Sequence, residues 1–152
     1  MKTQAQQKGF TLIETAVVCV LLGIILAMSI PSFRSYRQSQ LLEDGSQQVL
    51  GQLRLARQKA IGLQHEQRLT FSTGSNNFQV LDVVTNQTFG PFTFPKDITL
   101  DRADLVEGGV TGNAISAYSD GRFSGSGEMV LKNPKGVRDT VSVQVSGLAL
   151  IR

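Results

Sequence analysis

Tryptophan is absent from this chain of 152 residues, and cysteine and histidine occur once each. A lone thiol, Cys19, excludes an intrachain disulfide, so no covalent staple shapes the fold. It lies in an apolar run, where it acts as a small packing residue. One imidazole, His65, with no thiol outside that run, leaves no metal-ligand set and no nucleophile–base pair. His65 is expected to cap the helix that ends before it, or to sit at the surface. The carboxylates Asp97, Asp101, Asp104 and Glu107 offer oxygen ligands, but their spacing matches no calcium loop. Serines are plentiful, yet none stands in a nucleophile-elbow context. Enzymatic activity, a metal and a cofactor are therefore not expected. Charge is also sparse, at 18% of residues with a net charge of +3. Two of the positive charges, Lys2 and Lys8, precede the apolar run, and the remainder argues little for nucleic acid.

What the chain does have is an apolar run from Phe10 to Ile30 interrupted by one charge, Glu14. Its 21 residues make a helix of about 31 Å, the thickness of a bilayer's hydrocarbon core. A carboxylate inside such a segment is costly and marks a function. Just before it lies a short polar leader, residues 1–9.

The series Lys8-Gly9-Phe10-Thr11-Leu12-Ile13-Glu14 resembles the processing site of type IV pilins and type II secretion pseudopilins. The resemblance implies a prepilin peptidase that cuts after Gly9 and methylates the new amine of Phe10. It also implies a glutamate at the fifth mature position, Glu14, and a helix-kinking proline, Pro31. Two plainer readings compete. An ordinary signal peptide cut at Ala27-Met28-Ser29 would release a soluble protein, but the run exceeds a typical h-region and contains Glu14. An unprocessed single-pass anchor leaves Gly9 and Glu14 unexplained together.

Glu14 lies four residues after Phe10, one helical turn away on the same face. A freed Phe10 amine and Glu14 can partly neutralise each other within one subunit. The resemblance implies that in a filament Glu14 instead meets the amine of a neighbour, since a buried charge is tolerated only when paired. Lysines precede the run and Arg34 and Arg37 follow it, so charge does not set its orientation. The processing site implies a cytoplasmic leader.

After Pro31, which removes a helical hydrogen bond, the helix is expected to continue to about Leu63. Leu42, Val49, Leu53, Ala56, Ala60 and Leu63 form its apolar stripe. Gly45 and Gly51 weaken it and suggest bending or close packing. Beyond Gln67 the pattern turns to strands. Arg68–Ser72 and Phe78–Val84 form a hairpin about a 73–77 turn. Residues 88–94 suit an edge, broken by Gly90 and Pro91. A short strand is expected at 98–100, a loop from Asp101 to Asn113, and strands at 114–118, 128–131, 140–145 and 148–151. The predicted class is α+β, a long N-terminal helix packed on an antiparallel β-sheet domain. The boundaries are leader 1–9, membrane helix 10–30, amphipathic continuation 31–63 and periplasmic β domain 64–152.

Ala117-Tyr118-Ser119-Asp120-Gly121-Arg122-Phe123-Ser124-Gly125 and Glu128–Leu131, with Leu55–Ile61 at the helix end, are similar to the H-type minor pseudopilins and their pilus relatives, the GspH/FimT group. Asp120-Gly121 reads first as a turn, with Arg122 solvated beside it. Relatives linked to DNA uptake tend to end with Gly-Arg and a further arginine. Here Leu148 follows Gly147, and only Arg152 remains. Lys132, Lys135, Arg138 and Arg152 are the candidate phosphate contacts, fewer than phosphate binders usually gather.

These features point to a minor pseudopilin, a structural subunit of a type II secretion pseudopilus. The alternatives are a minor type IV pilin aiding pilus assembly or DNA uptake, and a monomeric membrane-anchored binding module. Expected partners are the prepilin peptidase, other pilins or pseudopilins, the inner membrane and secreted protein cargo, with DNA the weakest expectation.

Overall fold

The computed structural model describes residues 10–152, without the side chains of residues 28–35. The predicted leader with Gly9 lies outside the described residues. Pro31, the predicted kink, lies within the stretch whose side chains are not described. One helix, α1 (Leu12–Leu63), opens the described chain. The chain divides into two units, Met1–Arg37 and Gln38–Arg152.

In the first unit the apolar side chains of α1 are uncovered: Leu12 is 89% exposed and Leu26 64%. Among the described residues no helix is long and apolar enough to cross a membrane. The described side chains of the apolar run within α1 cover residues 12–27 of the run that extends from Phe10 to Ile30.

The second unit holds the core. Leu42, Val49, Leu50, Leu53, Ala56 and Ala60 of α1 are buried, the periodic stripe a helix presents to a sheet. Leu63, expected in that stripe, is exposed because the helix ends there. Gln64 adopts φ 57°, and its Nε2 donates to the Ile61 carbonyl at 2.7 Å. A left-handed residue thus terminates α1 without the usual glycine. Gly45 is a close-packing site: a Cβ there would lie 3.2 Å from Leu131 Cδ2 and 3.3 Å from Ile98 Cγ2. Gly51 has nothing within 4 Å, so close packing inside the chain does not explain it.

Nine strands follow among the described residues: β1 (Gln67–Phe71), β2 (Asn77–Asp82), β3 (Gln87–Thr93), β4 (Thr99–Glu107), β5 (Val110–Gly112), β6 (Ala114–Ala117), β7 (Gly125–Lys132), β8 (Arg138–Val143) and β9 (Ala149–Ile151). They form two antiparallel sheets, ordered β3-β2-β1-β6 and β5-β4-β7-β8-β9. In the first sheet Phe71 pairs with Phe78, and Phe78 with Phe92. The Phe78 ring stacks on Phe71, Phe92 and Phe94 at centroid distances of 5.5, 5.4 and 5.3 Å. β3 is the edge that its Gly90-Pro91 pair suggested, and that peptide bond is cis. The helix covers part of this edge: Gln48 Nε2 donates to the Thr93 carbonyl at 3.1 Å, and Lys59 Nζ lies 4.0 Å from the Phe89 ring centroid.

The expected loop from Asp101 to Asn113 is instead most of a β-hairpin, β4 and β5, turning at Gly108-Gly109. The expected strand at 98–100 is only the start of β4. Acidic residues made this segment look solvated, but Leu100 and Leu105 are buried, while Asp101 and Asp104 pair with cations. A register shift between Leu100 and Arg102 further broke the period-two signal. Gly125 and Gly127 let β7 approach β4 closely, since a Cβ would fall 1.9 Å from the Val106 carbonyl oxygen and 2.0 Å from that of Asp104.

Candidate functional site

The start of α1 is built by Thr11 and Glu14. The Thr11 backbone N–H donates to Glu14 Oε2 at 2.9 Å and its hydroxyl donates to the same oxygen at 3.0 Å. The Glu14 N–H lies 3.3 Å from Thr11 Oγ1. This is a reciprocal capping box, in which side chains satisfy N–H groups that a helix start leaves orphaned. The Thr-x-x-Glu spacing was legible in the sequence, although only Glu14 had been singled out. The carboxylate sits one turn from Phe10, which is 91% exposed.

Two of the segments that carried the GspH/FimT resemblance, at the helix end and around Asp120-Gly121, meet each other and Gly147 in the second unit. Arg57 of α1 donates from Nε to the Gly121 carbonyl at 2.7 Å. Gly121 (φ 82°) and Gly147 (φ 87°) are both left-handed. A Cβ on Gly147 would fall 2.3 Å from the Gly121 oxygen and 2.7 Å from Arg57 Nε. The β6–β7 and β8–β9 turns thus approach backbone to backbone as only glycine permits, and the Arg57 side chain ties the helix end to both. Nothing local in the sequence placed Gly147 beside Arg57, because the contact spans about ninety residues. Arg122 stays in its own turn, with Nε 2.7 Å and Nη2 2.6 Å from Asp120 Oδ2. These hydrogen bonds hold the Asp120 carboxyl below its usual range.

The four candidate phosphate contacts are not gathered into one free patch. Asp101 bridges two of them, accepting from Lys132 Nζ at 2.6 Å and Arg138 Nε at 3.0 Å. Those bonds hold its carboxyl below the ordinary value. Arg152 lies 4.0 Å from Glu128. Lys135 sits in the Asn133–Gly136 turn, its backbone N–H donating to Asn133 Oδ1 at 3.0 Å. Three of the four acidic residues weighed as calcium ligands are engaged, Asp101 as above, Asp104 with Arg102 at 2.6 Å and Glu107 with Arg68 at 3.5 Å.

His65 does more than sit at the surface. It is half-buried, and its Nδ1 lies 3.2 Å from Asp82 Oδ2. Asp82, at the end of β2, is buried and accepts from Gln67 Nε2 at 2.9 Å and from the N–H groups of Val84 and Thr85 at 3.1 and 3.0 Å. The Thr85 backbone bond is the largest influence holding this carboxyl far below the usual range, against the opposing effect of burial. The network ties the helix end to the β2–β3 turn. It escaped the sequence reading because Asp82 resembles any strand-terminal aspartate.

Residues 4–30 match the prokaryotic N-terminal methylation motif. No curated protein matches the chain as a sequence relative. Among solved structures, the minor pseudopilin EpsH of the Vibrio cholerae type 2 secretion system is similar at TM-score 0.56 and 12% identity, over 73% of this chain and 95% of that one. The type IV minor pilin FimU of Pseudomonas aeruginosa is similar in two crystal forms, both at 10% identity. The TM-scores are 0.53 and 0.55, over 73% and 77% of this chain and 92% of FimU in each case. The chain therefore joins an N-terminal methylation motif to a fold similar to those of the minor pseudopilin EpsH and the minor pilin FimU.

Proposed function

We propose that the chain is a minor pseudopilin, a structural subunit of a type II secretion pseudopilus that a prepilin peptidase matures by cutting between Gly9 and Phe10 and methylating the Phe10 amine. One observation carries this reading. The methylation motif over residues 4–30 opens α1 with Glu14 one turn from Phe10, on a chain whose fold is that of a minor pseudopilin. The apolar side chains of Leu12 to Leu26, exposed along the helix, call for a lipid or filament surround, which supports anchoring in the inner membrane. The second unit is then periplasmic.

Glu14 supplies the assembly chemistry. In the single chain its carboxylate is occupied by its own helix start. A neighbour's Phe10 amine offers a full positive charge in place of those neutral donors. Charge-assisted hydrogen bonds are the stronger kind, and in an apolar surround the pairing favours docking. Pro31 kinks the helix between its two functions. The β domain contacts other minor subunits and secreted cargo, and its role is structural rather than catalytic.

The likeness to FimU supports a second reading, a minor type IV pilin. DNA contact is a minor element of that reading, since Lys132 and Arg138 are already bound by Asp101.

The test is the intact mass of the membrane-extracted chain after co-expression with a prepilin peptidase. The expected product starts at Phe10 and carries one added methyl group. An uncut chain, or one starting at Ile30, overturns the proposal. Deletion in the host separates the machines. Loss of protein secretion with pili intact supports the pseudopilus, and loss of pili with secretion intact supports the pilus.

A further inference from the structure

Arg57 is half-buried, yet among the described residues no carboxylate pairs with it. Its own helix supplies none, since the residues three and four positions away are Leu53, Arg54, Ala60 and Ile61. The acid of the adjoining turn, Asp120, is taken by Arg122 at 2.6 Å. A charge withdrawn from water is costly unless it is paired. The cation is nevertheless held firmly. Its Nε donates to the Gly121 carbonyl at 2.7 Å, and its Cζ lies 2.9 Å from the place a Cβ on Gly147 would occupy. Nε is one of five guanidinium donors, so the Nη1–Nη2 end of the fork stays without a carboxylate. A fork pinned at Nε loses little freedom on taking a carboxylate bidentately.

The surroundings suit a protein rather than a phosphate. The segments that meet at Arg57 each present half-exposed apolar side chains. Ile61 comes from the helix end, Tyr118 from the turn of Gly121, and Val145 and Leu148 from the turn of Gly147, all between 39% and 47% exposed. Ile61 Cδ1 lies 3.1 Å from the Cβ position of Gly121, and Arg57 Nε 3.5 Å from the same point. Apolar neighbours exclude water on docking and so strengthen a charge pair. Arginine and tyrosine are enriched among the anchor residues of protein interfaces. Phosphate binders instead gather several cations, whereas Arg122 at this corner is already neutralised by Asp120. We propose that the corner docks a different protein, which presents an acidic side chain flanked by apolar residues and seats its carboxylate on the Nη1–Nη2 fork of Arg57. The proposal rests on the structural-subunit reading and gives one contact of its β domain a partner of stated chemistry.

The experiment uses the full chain in the membranes of its own host, with the photo-cross-linking residue benzoylphenylalanine in place of the exposed Leu148. Irradiation is expected to join it to another protein at a peptide containing an aspartate or glutamate. Arg57→Glu should lower the cross-linked fraction about tenfold or more, and exchanging that acid for arginine in the partner should restore it. Arg57→Glu also removes the bond to Gly121, so a second variant leaves Arg57 in place. Ile61→Glu sets a carboxylate one helical turn beyond Arg57, fills the fork from within the chain and should abolish the cross-link, whereas Ile61→Gln should retain most of it. If Arg57→Glu fails to fold, the contrast between Ile61→Glu and Ile61→Gln decides alone. Absence of a cross-linked protein, a cross-link to a second copy of this chain or to nucleic acid, or one indifferent to Ile61→Glu overturns the proposal. Intact mass on the same membranes separates the two readings. A chain cleaved at Phe10 that fails to cross-link refutes this docking alone, whereas an uncut chain refutes the subunit reading beneath it.

Discussion

Replacing Gly147 with alanine tests the junction of helix and turns against a matched control, Gly136→Ala. The two glycines have nearly the same backbone conformation, φ 87° and 79°, so an added Cβ incurs the same left-handed penalty, about 1–2 kcal/mol. They differ in surroundings. Nothing lies within 4 Å of a Cβ at Gly136. At Gly147 the Cβ would meet the Gly121 oxygen at 2.3 Å, Arg57 Nε at 2.7 Å and Arg57 Cζ at 2.9 Å. Relief requires displacing Arg57 from the Gly121 carbonyl, where its hydrogen bond is 2.7 Å long. Leaving that buried carbonyl unpaired adds about 1–3 kcal/mol. Gly136→Ala should therefore cost about 1–2 kcal/mol, and Gly147→Ala about 2–5 kcal/mol, reaching beyond ordinary point substitutions. The assay is thermal and urea unfolding of the unit from Gln38 to Arg152, which contains the buried core. At this size each kcal/mol lowers Tm by about 3–5 °C, so the added 1–3 kcal/mol should separate the two variants by roughly 3–15 °C. Equal destabilisation within about 0.5 kcal/mol would refute the argument, because backbone strain alone would then account for both.

Three further outcomes follow from the geometry. The folded pKa of Asp82 is depressed, so its contribution is fully present above the unfolded carboxylate value near 3.9 and disappears as pH falls through the folded value. Urea midpoints measured from about pH 5 downward should drop more gently in Asp82→Asn than in the parent, and equal slopes would remove the network from the account. Phe78→Ala, at the centre of the aromatic stack, should cost about 3–5 kcal/mol by cavity formation, read as a lower urea midpoint with unchanged slope. Asp101→Asn should release Lys132 and Arg138 from their shared carboxylate, and the chain should then elute from heparin at higher salt. Unchanged elution would show that the pairing does not mask them.

The amino-acid sequence by itself determined the N-terminal half of the account. The apolar run, the Thr11–Glu14 helix start and the helical stripe are local features, readable because helix periodicity and capping act over three or four residues. The hairpin of β1 and β2 and the edge character of β3 were legible for the same reason, since turn residues and Gly-Pro act within their own segment. Tertiary structure decided what depends on distant partners. The run from Asp101 to Asn113 is a hairpin rather than a loop because Lys132 and Arg138 neutralise Asp101 across the sheet and Leu100 and Leu105 enter the core. The candidate phosphate contacts dissolved into ion pairs by the same route. That Arg57, Gly121 and Gly147 touch one another emerged only when the helix end and two turns were folded together. Their closeness is a property of packing between remote segments, which no local pattern of residues encodes.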